Sequence, residues 1–281
     1  MKNYSFTLFT PCYNGAKTIE RVFRSVASQT YTNFQWIIIN DGSTDDSDGA
    51  IMALMERYGE LKDKTLYLKQ ENLGKHVSWN KALQHSEGDF FVPCDCDDSF
   101  VPETLEFFNQ KANDIAGDNY TNSEYSGINV CCYDPETGKP IGTPYPKDGL
   151  VSNNIELEYR YKIRGEHWGC IRTLLLKELP FPQVKGHFYN ENYLWYSLAK
   201  RYNLVCYNKA LRAYYIEQNS LVHNKNAFYD KDRAVMNLHY RAWQISHVGK
   251  IVFGYSKREW GKMYYDLLKS IIKVAYLKLF H

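Results

Sequence analysis

The sequence has almost no net charge: 34 Lys and Arg face 32 Asp and Glu, a formal +2. A chain this balanced projects no global field toward nucleic acid, so any electrostatic recognition must come from local clusters. It also lacks any apolar run approaching the roughly 20 residues that a membrane-spanning helix needs. Met1 to Asn3 lead into a strand-like run rather than into the apolar region of a secretory signal. The seven cysteines are odd in number, and none shows the C-x-x-C spacing of a paired zinc site. They read as reduced thiols of a cytoplasmic protein, not as a disulfide framework. Neither a G-x-x-x-x-G-K-S/T phosphate loop nor a G-x-G-x-x-G turn occurs, which argues against a P-loop enzyme and a dinucleotide dehydrogenase.

What the chain does have is apolar material, 44% of 281 residues with 16% aromatic, enough for a sizeable core. Over the first hundred residues, apolar runs at Phe6 to Phe9, Trp36 to Ile39, Leu66 to Leu68 and Phe90 to Val92 alternate with helical patterns. The helices are expected at about 16–29, 46–58 and 77–86. This alternation predicts an α/β fold, a mostly parallel central sheet flanked by helices. Ligands of such sheets bind at the carboxyl ends of the strands, where the distinctive polar residues fall. A helix from Pro102 to about 116, a strand at Gly127 to Tyr133, a helix near 191–202 and a strand at Leu211 to Ile216 follow, with a helical pattern from about 225 onward.

Three loops carry candidate chemistry. Cys94-Asp95-Cys96-Asp97-Asp98 sets three carboxylates in four residues at a strand end. Clustered acids beside a pocket are stable when a hard cation is present, and Mg²⁺ or Mn²⁺ with a pyrophosphate is the usual case. Read alone, the run is equally an Asp-rich turn capping the helix at Pro102. Asp41-Gly42-Ser43-Thr44-Asp45 is a tight strand-to-helix turn that either only caps the helix or presents Asp41 to a base or ribose. Thr10-Pro11-Cys12-Tyr13-Asn14-Gly15 is a strand and rigid turn whose tyrosine either packs on the protein or lies against a base.

Taken in order, TPCYNG at 10–15, DGSTD at 41–45, ENLG at 71–74 followed by Asn80, and EGDFFVPCDCDD at 87–98 resemble the family 2 glycosyltransferases, inverting enzymes of GT-A fold. The resemblance is clearest over about residues 5–105 and looser at 165–200. It implies a nucleotide-sugar-binding half at 1–105, an acceptor-binding half at 106–222 and a C-terminal helical extension at 223–281. It further implies that Thr10, Pro11 and Tyr13 line the base site and that Asp41 contacts the base. Asp95 would hold the ribose or a phosphate, Asp97 the divalent cation, Mn²⁺ or Mg²⁺, and Asp98 the sugar hydroxyls or the residues behind them. Lys75 would meet the diphosphate or the base, because Trp79 stands where many members carry an arginine. The general base, usually in a Glu-Asp pair, would be Glu191, since Asn192 replaces the second acid. Glu166, His167 and Trp168 would form an acceptor loop.

The activity implied is transfer, with inversion, from a nucleotide-sugar, UDP-sugar being commonest in the family, to a hydroxyl of a saccharide or lipid-linked acceptor in cell-surface polysaccharide synthesis. Two other functions remain in view. A nucleotidyltransferase would share the fold class but should show a Gly-rich, basic loop after the first strand, and TPCYNGAKT is not one. A nucleotide-sugar-binding protein without turnover is kept open by Asn192. Between Lys250 and His281, seven basic residues against two acidic ones are interleaved with Trp260, Tyr264, Leu268 and Ile272, a composition expected of a helix that lies on an anionic membrane face. Packing of that helix on the catalytic domain, with its lysines solvated, explains the same pattern.

Overall fold

The computed structural model of the chain describes residues 2–116, 124–184, 189–215 and 230–280. The first half runs β1 (Phe6–Cys12), α1 (Glu20–Ala27), β2 (Phe34–Asp41), α2 (Ser47–Arg57), β3 (Thr65–Gln70), α3 (Lys75–His85) and β4 (Phe90–Pro93). Then come β5 (Ser99–Phe100), α4 (Thr104–Ala116), β6 (Tyr125–Tyr133), β7 (Pro140–Ile141), β8 (Leu150–Ser152) and α5 (Asn154–Tyr159). The remainder is β9 (His167–Arg172), α6 (Thr173–Lys177), α7 (Asn192–Ala199), β10 (Asn203–Ala213), α8 (Lys231–Tyr255) and α9 (Lys257–Phe280). The end of the strand expected at Leu211 to Ile216, and the start of the helical stretch expected from 225, lie outside the described residues.

Among the described residues one sheet carries all ten strands, with its main path ordered β3-β2-β1-β4-β9-β6-β10-β5. β3, β2, β1 and β4 are mutually parallel. β9 then pairs antiparallel with both β4 and β6, and β6 is parallel to β10. Alternation of side chains divides the apolar strands between two faces. Phe6, Leu8, Trp36, Ile38, Phe90 and Val92 pack in one core, and Phe9, Ile37, Ile39 and Phe91 in the other. Burial on both faces is what makes β1, β2 and β4 read as continuous apolar runs.

The chain winds outward from β1 through β2 to β3, then returns to place β4 on β1's other side. Strand order therefore reverses between β1 and β4, and the place outside their carboxyl ends is the crevice where ligands of such sheets usually bind. TPCYNG leaves β1 there and CDCDD leaves β4. Of Glu166, His167 and Trp168, expected as an acceptor loop, the last two open β9, whose residues pair with β6.

The turn after β2 approaches the 71–72 backbone so closely that a Cβ on Gly42, which has φ +68°, would lie 2.4 Å from the Asn72 nitrogen. Gly42→Ala is therefore expected to cost at least about 2 kcal/mol through left-handed strain and this clash. Urea denaturation of the two proteins would check it, and equal midpoints would reject the argument.

Candidate active site

The loops at the strand ends are tied to one another before they are tied to any ligand. The Asn14 side-chain oxygen accepts from the Thr44 and Asp45 amides at 2.8 and 3.3 Å, and Asn14 itself takes the positive φ that favours Asn or Gly. The Gly15 and Ala16 amides donate to Ser47 Oγ at 2.8 Å and Asp45 Oδ2 at 3.1 Å. Burial works against the Asp45 carboxylate, but donors from Ser47 and Ala16 hold it below the usual range. Much of the TPCYNG and DGSTD signal is thus a zipper between two turns.

Asp41 is engaged by the protein itself. Its oxygens accept from Gln70 Nε2 at 2.7 Å, the Leu73 amide at 3.0 Å and the Gly74 amide at 2.8 Å, in a buried position. These bonds fix the loop that starts α3, a structural role beside the expected contact with the base. Thr10 is withdrawn, its hydroxyl accepting from the Trp36 indole under the sheet at 3.0 Å. Tyr13 is 41% exposed and Pro11 half-buried, so both remain reachable from the crevice. Asn80 pairs both ways with the Phe181 backbone, at 2.9 Å each, and Trp79 is buried in the core.

The chemistry gathers around the end of β4. Lys75, the first residue of α3, puts Nζ 2.7 Å from Asp95 Oδ1 and 2.8 Å from Glu191 Oε1. Arg212, on β10, reaches Asp95 Oδ2 at 3.0 Å and donates through Nε to Asp98 Oδ2 at 2.8 Å and through Nη2 to the same oxygen. Asp98 Oδ1 accepts from the Tyr215 amide at 3.1 Å. Burial would raise Asp95, but Lys75 and Arg212 outweigh it and hold the carboxyl down at about 2. Burial pushes Asp98 up and the Arg212 guanidinium opposes it. Asp98 is enclosed, so its bearing on a ligand runs through Arg212 and Asp95.

Among the described residues no cation makes an ion pair with Asp97, and Arg212 opposes the rise of its carboxyl only from a distance. Burial, reinforced by Asp95 and Asp98, holds its carboxyl up to about 6. Among the described residues no three His, Cys, Asp or Glu side chains gather as a metal cage. A carboxylate repelled by its neighbours and only partly buried, with remaining ligands to come from a diphosphate, is the donor set on which Mg²⁺ and Mn²⁺ usually sit, and Asp97 fits it.

On the acceptor side the three expected residues separate. Glu166 joins the cluster: burial raises its carboxyl, and it feels Arg212, Asp95, Glu191 and Lys75. His167 leans on Tyr145, with its ring nitrogens 3.0 Å from the Thr143 carbonyl and 3.3 Å from that of Gly165, and burial lowers its pKa. Trp168 is core, packed on Phe100 and Phe108 and donating to the Pro93 carbonyl at 2.5 Å, so it offers no face to a sugar. Arg212 was missed by the motif reading. Its signal was a lone arginine in the apolar run Leu211 to Ala213, because a buried guanidinium demands carboxylate partners.

Residues 7–124 match the family model described as glycosyl transferase family 2, and this part of the chain belongs to that family. The fold is GT-A. The uncharacterized glycosyltransferase RC0461 of Rickettsia conorii is 29% identical over 178 residues, covering 63% of this chain and 28% of that protein. TuaG of Bacillus subtilis, named for teichuronic acid biosynthesis, is 25% identical over 226 residues, covering 78% of this chain and 82% of that one. The chain thus spans under a third of the Rickettsia relative's length. Among solved structures, S. aureus TarS 1-349 in complex with UDP-GlcNAc superposes with a TM-score of 0.61 at 18% identity, over 95% of this chain and 72% of that one. The mannosyltransferase PcManGT from Pyrobaculum calidifontis, in complex with GDP-Man and Mn²⁺, gives 0.62 at 17%, over 100% and 77%.

Because the folded protein binds the Asp97 proton more tightly than an open chain does, the associated stability is full below the usual carboxylate range and is lost as pH rises through about 6. In chelator, Asp97→Asn should therefore flatten the fall in stability between pH 5 and 8, by about 1 kcal/mol, seen as a smaller fall in melting temperature. An unchanged slope in thermal melts would refute the placement.

Proposed function

We propose that the chain transfers a sugar from a nucleoside-diphosphate donor to a hydroxyl acceptor with inversion. The observation that carries this reading is the cluster at the switch point, where Asp95, Asp97, Lys75 and Glu191 stand together and remain partly accessible. Tyr13 and Pro11 line the base, Asp95 holds ribose or phosphate, and Lys75 meets the diphosphate. A divalent cation on Asp97, when bound, offsets the charge that gathers on the leaving nucleoside diphosphate. UDP-sugar is the proposed donor, supported by the UDP-GlcNAc complex of TarS. The teichuronic acid name of TuaG supports a saccharide acceptor in cell-surface polysaccharide synthesis.

Glu191 acts as general base. The acceptor oxygen attacks the anomeric carbon from the face opposite the diphosphate, the carbon–oxygen bond to the diphosphate breaks, and the hydroxyl proton passes to Glu191. Glu166 and His167 position the acceptor. Glu191→Gln should lower kcat at least about a hundredfold while donor binding survives, as loss of a general base does. Near-normal turnover would move the base to Glu166, since Asp98 and His167 are already engaged by protein donors and carbonyls. Absence of turnover in the unaltered chain, with donor binding intact, would favour the binding-protein reading.

No helix among the described residues is long and apolar enough to cross a membrane. α9 nonetheless exposes Tyr264, Tyr265, Leu268, Ile271, Ile272 and Leu279 beside its lysines. We infer that this side meets the anionic cytoplasmic membrane face, where a lipid-linked acceptor would lie. Leu268→Glu with Ile272→Glu, both at positions more than half exposed, should abolish flotation with vesicles containing phosphatidylglycerol at low salt. Undiminished flotation of the double variant, or none of the parent, would remove the membrane from the account.

A further inference from the structure

The position of Lys75 is electrostatically awkward. It opens α3 directly after Gly74, and the amino end of a helix carries partial positive charge that favours anions and disfavours an ammonium. Burial also works against its charge, yet Asp95 and Glu191 more than compensate and keep the lysine protonated. The two carboxylates arrive from different parts of the fold, Asp95 after β4 and Glu191 at the start of α7, and the ammonium bridges them. About a third of the Lys75 and Glu191 side chains is exposed, so a ligand can reach the bridge from the crevice.

We propose that Lys75 couples donor arrival to release of the base. In the free protein its ammonium is shared between Asp95 and Glu191. A donor diphosphate entering at the amino end of α3 offers that ammonium a more concentrated negative charge, in the place where the helix amides also favour an anion. Lys75 turns to the diphosphate, and Glu191 is left free to accept the acceptor's proton. Until then a Glu191 oxygen is occupied by the ammonium, 2.8 Å away, and is not open to an acceptor hydroxyl. Binding in the order donor, then acceptor, follows from this arrangement without any domain movement. The inference rests on the assignment of Glu191 as base and of the crevice as a diphosphate site.

Linkage supplies the test. If Glu191 and the diphosphate compete for one ammonium, each weakens the other's hold on it by the same factor. Isothermal titration of the full chain with UDP and with GDP, each with Mn²⁺, would compare the parent, Glu191→Gln, Lys75→Met and the double variant. The expected result is at least about threefold tighter nucleotide binding by Glu191→Gln and at least about tenfold weaker binding by Lys75→Met. In the double variant, Glu191→Gln should have no further effect, because no ammonium remains to compete for. Unchanged or weaker binding by Glu191→Gln would overturn the coupling while leaving the donor site standing. Failure of both nucleotides to bind the parent would instead overturn the proposed function and the coupling with it. Because Glu191→Gln is close to isosteric, its result decides the matter even if Lys75→Met does not fold.

Discussion

Repulsion among carboxylates at one sheet edge is the constraint around which the rest of the molecule is arranged. Asp95, Asp97, Asp98, Glu166 and Glu191 feel one another there, and two cations, Lys75 and Arg212, divide them. Arg212 is enclosed and ties Asp95 to Asp98, so one side of the cluster is permanent structure. Lys75 is reachable and shared, so the other side can exchange partners. Breaking a buried, paired guanidinium is expensive, whereas a partly exposed ammonium changes partner at smaller cost. The same sign of charge is therefore used once as a rivet and once as a movable contact.

The topology makes this arrangement reachable from distant parts of the chain. β4 returns beside β1, which brings the acidic loop next to TPCYNG. β10 lies at the far side of the sheet, yet its last residues pair with β5, directly after the acidic loop, and this carries Arg212 to Asp98. α7 brings Glu191 from the opposite direction. The residues that share the cluster are therefore set by strand order and not by sequence proximity.

The strands and helices of the first half were legible because burial on both faces writes continuous apolar runs and because each turn carries Gly, Asn or Asp. β3 reads less strongly for the same reason inverted: as an edge strand its residues are only half-buried. β9 was not legible, since HWGCIR holds a glycine and a histidine and its pairing partners, β4 and β6, lie far off in sequence. At the site, the sequence placed Asp95, Asp97 and Asp98 at a strand end but could not say which way a carboxylate turns. Asp41 turned to backbone amides, Asp98 to an arginine more than a hundred residues away. Thr10 and Trp168 sit in motif positions and still serve the core, because strand alternation decides which face a side chain takes.

The indole of Trp168 has a mechanical consequence. It bonds to the last carbonyl of β4 while its strand is laced to β6, so the boundary between the parallel and mixed parts of the sheet is stitched from both sides. A seam tied in this way resists hinging between the two parts of the sheet. The parts left to respond to a ligand are the side chains and short turns at the rim, which rearrange faster than two lobes can swing.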